Sequence, residues 1–438
     1  MKKRGGRQKT VFAISVLAIV FVLLYRLLGV DSTDSGVLSS STKNAAILKE
    51  DLFENVSETD EKKVFKKIDK GSKAVKRKRV VKFQAAKIEN VKKDSKLSLN
   101  LFPDVHVAVQ KKGVEEKTGG KIIWKGTLEG DKKGNATIVA KGNVMVGNVH
   151  TKEGVYEIRY AGDGMHTITL IDPGLLPRDL HLVPTARSTM QRINVTPPVG
   201  ERISTIDILV AYTWAALAEQ EGGEAMENLI DLAIAETNQI FENSEIKIRL
   251  RLVKTFMFNQ GGESGDIGTE LTHLTDRDEF LTNIHPLREE HKADIVSLFV
   301  RNGGDACGIA WQLNSDTMEG FEAKAFSIVD TGCIGNYTLA HEIGHNLGGQ
   351  HNRSDADVTP LYTYGYDYQD PNGEYRTVLS YGCPNNPSCE ILPYFSIPAI
   401  RDGRRLGVTN QSDNARAMSA TREFVANFYS ASAKSFSR

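Results

Sequence analysis

The stretch His341-Glu342-Ile343-Gly344-His345-Asn346-Leu347-Gly348-Gly349-Gln350-His351 reads HExxHxxGxxH. Residues four apart share one face of a helix, so His341 and His345 can turn their imidazoles toward a single metal ion. Glu342 lies one step round that helix, within reach of a metal-bound water. Gly348 permits the left-handed backbone that stops a helix, after which the chain can return His351 as a third ligand. Three neutral imidazoles suit Zn²⁺ and leave a fourth position for water, the pattern of a catalytic rather than a structural site. The chemistry this predicts is hydrolysis of a carbonyl compound, with Glu342 as general base. No GxSxG nucleophile motif competes with it.

The elements that must position these residues follow from periodicity. After Ile203, Ser204–Tyr212 reads as a strand and Glu224–Phe241 as a helix with apolar residues at helical spacing. Ile246–Phe256, Asp294–Val300 and Phe326–Val329 read as further strands, and a long helix starting near Gly335 carries the motif. Strands alternating with helices predict an α/β (α+β) catalytic domain over residues 203–430, with helices packed on a mixed sheet. Residues 83–177 instead show short alternating stretches between turns at Gly119-Gly120, Lys133-Gly134 and Asp163-Gly164, which predicts a small antiparallel β domain. Residues 31–82, rich in Lys, Ser, Asp and Glu, read as a flexible basic linker; Lys76-Arg77-Lys78-Arg79 within it is a solvated charge run, with a processing site or a membrane-surface patch as sharper alternatives. Residues 178–202, with Arg178, Arg187, Arg192 and Arg202, read as an exposed connector with candidate processing sites. His273, His285 and His291 fall on polar segments and receive no role.

The chain has 438 residues, 40% hydrophobic and 25% charged, with a mean hydropathy of −0.31. Collagen-like, low-complexity and multi-span membrane proteins are excluded by those values. Residues 1–82 carry 19 Lys and Arg against 9 Asp and Glu, so the rest of this neutral chain is net acidic by ten charges. An acidic catalytic part argues against nucleic acid as partner. Residues 1–30 open with a basic cluster followed by the apolar run Val11–Tyr25. This predicts a signal peptide or a signal-anchor tethering the chain through residues 11–30, with everything after residue 30 secreted or extracytoplasmic in either case. Four cysteines, Cys307, Cys333, Cys383 and Cys389, fit two disulfides in an oxidising compartment. Three pairings are open; the one favoured joins Cys307 to Cys333 and Cys383 to Cys389. Oligomeric state is not legible.

The extended motif resembles the signature of metzincin zinc metallopeptidases, and the chain is most similar to their reprolysin/adamalysin-like branch. That resemblance implies a twisted mixed sheet over an active-site helix, and peptide-bond hydrolysis with Zn²⁺ held by His341, His345 and His351 and Glu342 as catalytic base. Gly308, Ile309 and Ala310 resemble the edge strand that holds an extended substrate by strand addition. Tyr375–Tyr381 resembles the turn beneath the metal, with Leu379 where the family has Met as its apolar floor. Tyr381 occupies the place of a transition-state-stabilising Tyr, a buried core Tyr being the plainer reading. Asn352 stands where the family has Asp. The β domain resembles the propeptide of the same zymogens, which implies a proenzyme. No Cys precedes Cys307, so a cysteine lock on the metal is excluded; inhibition by residues 83–177 is then steric or through another ligand, with Asp163 the residue offered. The departures at Leu379 and Asn352 support a second reading, a secreted metal-binding adhesion protein with this fold and little turnover; a third makes residues 31–177 a membrane-tethered interaction module.

Overall fold

Period-two alternation builds the N-terminal half. The computed structural model describes residues 51–429 except 69–71, 84–95, 132–133, 183–201, 260–261, 278, 315–317, 354–366 and 384. The apolar run at 11–25 lies outside them; among the described residues no helix is long and apolar enough to cross a membrane. Strands β1 (Phe53–Asn55), β2 (Val75–Phe83), β3 (Lys96–Phe102), β4 (Val105–Glu116), β5 (Ile122–Leu128), β6 (Asn135–Lys141), β7 (Val144–Thr151), β8 (Gly154–Gly162) and β9 (Met165–Ile171) form one sheet in the order β1-β2-β9-β8-β7-β6-β5-β4-β3. Every neighbouring pair is antiparallel. The Asp163-Gly164 turn between β8 and β9 has φ of 53° and 73°, the positive values a two-residue hairpin demands. The sheet curls until its edges meet, where the Asn100 side chain of β3 accepts from Phe53 N at 3.0 Å and donates to Phe53 O at 2.7 Å on β1. Trp124, Leu99, Leu101, Ile122, Ile138 and Ile158 fill the interior.

The linker expected over residues 31–82 is corrected for its described part. β1, β2 and the helix α1 (Glu58–Ile68) belong to the β domain. In Val75–Phe83, Val81 and Phe83 enter the barrel interior, while Val80 packs with Val64 of α1. Lys76 pairs with Asp172 at 2.8 Å and Arg77 with Asp104 at 2.6 Å. A basic run looks solvated when only its charges are counted; here the valines that follow those charges decide, and the run sits in a ladder with β9.

The C-terminal half is built on a six-stranded sheet in the order β10-β14-β15-β13-β11-β12. It comprises β10 (Arg178–Leu182), β11 (Ser204–Thr213), β12 (Ile248–Phe258), β13 (Ile295–Val300), β14 (Ala306–Trp311) and β15 (Phe326–Asp330). All pairs are parallel except β14 with β15. The helices are α2 (Trp214–Glu219), α3 (Gly223–Asn243), α4 (Ile267–Asp276), α5 (Ile284–His291), α6 (Thr338–Asn346) and α7 (Asn414–Val425). Helix α3 is buried on most of its surface because it packs between the barrel and the catalytic sheet; Ile123, Val139 and Val146 of the barrel belong to the same apolar cluster as Leu229, Leu232 and Ala233.

Two further expectations change. The motif helix is not long: residues 331–336 form a 3₁₀ turn and α6 begins only at Thr338, after Tyr337 at φ 60°. His285, on a segment whose polar residues suggest exposure, is instead buried with Nε2 against Leu274 O at 2.8 Å. The cysteines pair as Cys307–Cys333 and Cys383–Cys389, with Cα separations of 5.5 and 5.9 Å.

Candidate metal centre

Helix α6 presents His341 and His345 one turn apart, and Gly348 at φ 88° breaks the helix so that His351 folds back. The Nε2 atom of His351 lies 3.1 Å from Nε2 of His341 and 3.1 Å from Nε2 of His345. Ligand nitrogens at about 2.0–2.1 Å around a tetrahedral Zn²⁺ stand roughly 3.3 Å apart, so the triad is spaced for such an ion. The far ring nitrogens are anchored: His341 Nδ1 donates to Val378 O at 3.0 Å, and His345 Nδ1 lies 2.8 Å from Gln312 Oε1 and 3.1 Å from Gly349 O. Such contacts fix ring orientation and tautomer. Burial pushes His341 down to about 3 and His345 well below its ordinary value, so both rings are neutral, the form that binds a metal.

Glu342 is fully buried, and neither carboxylate oxygen has a hydrogen-bond partner. A buried carboxylate with both oxygens orphaned is costly unless an ion or its water completes it. Burial, then the neighbouring Asp179, raises its pKa well above the ordinary value. Gly308 on β14 makes room for it, since a Cβ there would lie 2.4 Å from Glu342 Oε1. Ile309 and Ala310 follow on the same strand, both buried. Leu379 is fully buried beneath the helix turn: a Cβ on Gly344 or Gly349 would stand 3.1 or 2.5 Å from its Cδ1. Asn352 Oδ1 accepts from Tyr381 N at 3.2 Å and Ser380 Oγ at 3.3 Å, tying the chain after His351 to the turn. Here an amide makes the link that the resemblance gives to a carboxylate.

The exposed connector expected from residue 178 onward is corrected for residues 178–182. They form β10, which adds to β14 in parallel: Arg178 opposite Ala306, Leu180 opposite Ile309 and His181 opposite Ala310. Asp179 is buried, its Oδ2 3.5 Å from His341 Nδ1. The His181 ring lies 4.9 Å from that of His345 and 4.8 Å from that of His351. Its ligand nitrogen groups with theirs, as Asp179 groups with His341 and Glu342, all within 4.8 Å in each group. Tyr381 is half-buried with its ring 4.0 Å from His351, and its hydroxyl donates to Asp179 O at 3.0 Å. Asp163, the residue offered for blocking the metal, sits on the β8–β9 turn beside Lys63 instead. The signal that would have found Asp179 and His181 is their spacing, since residues two apart on an extended strand face the same way.

Residues 203–391 match the family model described as metallo-peptidase family M12 (Reprolysin_5), and residues 50–172 match one described as a BamI lipocalin-like domain. The chain is 30% identical over 352 residues to a peptidyl-Asp metalloendopeptidase of Xanthomonas campestris pv. campestris, covering 76% of this chain and 81% of that one. It is 30% identical over 342 residues to a protein of the same name from Stenotrophomonas maltophilia, covering 72% and 79%. A crystal structure of metalloproteinase-II from Bacteroides fragilis superposes with a TM-score of 0.40 at 13% identity, covering 71% of this chain and 90% of that one, a likeness too loose to bear on the site. Mixed sheet, histidine cluster and relatives together define a metallopeptidase acting on protein or peptide substrates. More particularly, the chain belongs to metallo-peptidase family M12.

Proposed function

We propose that the protein is an exported zinc endopeptidase, made as a proenzyme, that cleaves peptide chains beside aspartate. The observation that carries this reading is the 3.1 Å clustering of three imidazole nitrogens next to the buried, partnerless carboxylate of Glu342. His341, His345 and His351 would hold the ion, which when bound supplies a Lewis acid and lowers the pKa of a coordinated water from about 15.7 toward about 7. Glu342 would serve as general base toward the attacking water and hand the proton on to the leaving amine. β14 holds the substrate backbone through the hydrogen-bonding edge that β10 now occupies. The side-chain preference is taken from the name borne by the relatives in Xanthomonas and Stenotrophomonas.

Export is supported by the basic and apolar N-terminal run together with two formed disulfides. The proenzyme reading is supported by β10, which fills the cleft from the N-terminal side of the catalytic half; processing is expected to give a mature N-terminus between Arg178 and Arg202. The test is Glu342→Ala in the processed enzyme. Peptide cleavage should fall at least about 100-fold, while zinc content measured by elemental analysis stays near that of wild type. Cleavage at the wild-type rate would remove the mechanism.

A further inference from the structure

His341, His345 and His351 supply three of the four ligands that Zn²⁺ takes in a tetrahedral site. A fourth imidazole stands beside them. His181 belongs to β10, whose parallel ladder sets it opposite Ala310 of β14. The end of that strand is fixed as well, since Gln312 N donates to Leu182 O at 2.8 Å. Gln312 is also the residue whose Oε1 lies 2.8 Å from His345 Nδ1. One residue thus anchors both the second metal ligand and the strand that carries His181.

Ring geometry separates His181 from Asp179, the acidic residue of the same strand. The rings of His341, His345 and His351 stand 4.8, 5.2 and 4.7 Å from one another. The His181 ring lies 4.9 Å from His345 and 4.8 Å from His351, inside that same range. The ligand nitrogens of His181, His345 and His351 all lie within 4.8 Å of one another. By position, His181 is a fourth member of the cluster. Asp179 stands elsewhere. Its Oδ2 is 3.5 Å from His341 Nδ1, the nitrogen turned toward Val378 O, whereas His341 faces His351 through Nε2. A carboxylate behind a ligand ring orients that ring and does not fill the place in front of it.

We propose that His181 is a metal ligand in the unprocessed chain, so that β10 closes the zinc site with four imidazoles where the processed enzyme has three and a water. The proposal rests on the zinc reading of His341, His345 and His351. Four protein ligands are the pattern of a structural zinc site, and three with a water that of a catalytic one. Loss of His181 alone therefore frees the coordination position that the water needs, while the other three rings keep their anchors.

Zinc K-edge X-ray absorption of the full-length chain tests this, because outer-shell scattering counts imidazole rings around the ion. Wild type should show four rings, and His181→Ala three rings with one oxygen. Competition against a zinc chelator gives a second readout. Losing a ligand should cost at least what losing an outer partner costs, so His181→Ala should hold zinc at least about 10-fold more weakly. Leu180→Ala, on the same strand, should hold it as wild type does. Should His181→Ala fail to fold, His181→Gln takes its place, and the wild-type ring count decides in any case. A wild-type count of three overturns the proposal, whether the fourth atom is a water or an Asp179 oxygen. So does a count of four that survives the loss of His181, or zinc held equally tightly without it. Zinc bound through three rings leaves the endopeptidase reading standing; a full-length chain that takes up no zinc sinks both.

Discussion

The two sheets of this protein treat their edges in opposite ways. The nine-stranded sheet closes on itself, and the Asn100 amide ties β3 to the backbone of β1 with two buried hydrogen bonds. The six-stranded sheet leaves β14 as its natural margin and covers it with β10, a five-residue strand with two exposed residues. An exposed edge is a template for another strand. A sheet that seals its own margin offers nothing to a partner, whereas one that borrows its last strand can exchange it, and β14 is the strand beside Glu342. The grip of the barrel on the catalytic half lies elsewhere, on α3. There Lys121 pairs with Asp231 at 2.9 Å, Lys141 with Glu224 at 2.6 Å and Asn148 with Glu236 at 2.9 Å.

The largest expected effect tests the contact between the barrel and α3. Glu236 is buried between α3 and β7, facing Asn148, with Arg159, Lys125 and Glu157 nearby, and burial raises its pKa from 4.5 to about 8. The folded chain therefore binds this proton more tightly than the unfolded chain. Stability from this group is complete below about pH 4.5 and is lost as pH rises toward 8. Each unit of displacement is worth about 1.4 kcal/mol, so the loss should reach several kcal/mol. The melting temperature of the full-length chain should be lower at pH 8.5 than at pH 5.5, and Glu236→Gln should flatten the profile. An unchanged profile in that variant would mean that Glu236 does not titrate across the window.

The barrel's seam comes next. Asn100→Ala strands the N–H and C=O of Phe53 at the closure, each worth about 1–3 kcal/mol when buried without a partner. We expect a loss of roughly 2–4 kcal/mol in urea unfolding followed by the fluorescence of Trp124 in the barrel interior. A loss below about 0.5 kcal/mol, the range of ordinary surface substitutions, would mean that the two edges do not depend on this side chain.

How far these features are legible in the sequence depends on whether the signal is local. His341, His345 and His351 gather as their spacing predicts, because i, i+4 on a helix and a glycine stop are local geometry. The strands β5 to β9 are equally local, being short alternations bounded by glycine turns. What escapes is set by partners far along the chain. Lys76–Arg79 looks solvated until Asp172 and Asp104 are brought to it. Asp179 and His181 look like connector residues until their strand pairs with β14, more than a hundred residues further on. Arg376 has no motif of its own; its partners Ser380 and Asn336 are brought to it only by the fold.

The smallest effect is the sharpest probe of the borrowed edge. Tyr381 reaches across the cleft to donate one hydrogen bond to Asp179 O, a contact that exists only while β10 is in place. Tyr381→Phe keeps the ring against His351 and removes that bond alone, at a cost of about 1 kcal/mol. Local opening of β10 should then become about fivefold more frequent. Hydrogen exchange of the full-length chain reads this at Gln312, whose amide donates to Leu182 O at the end of β10. That amide should lose protection about fivefold while the Phe53 amide, bonded to Asn100 Oδ1, stays as slow as in wild type. Equal loss at both sheets would mean that the substitution loosens the whole fold, and no loss at Gln312 would mean that Tyr381 does not hold the strand. Only a loss confined to β10 fits a margin built to be given up.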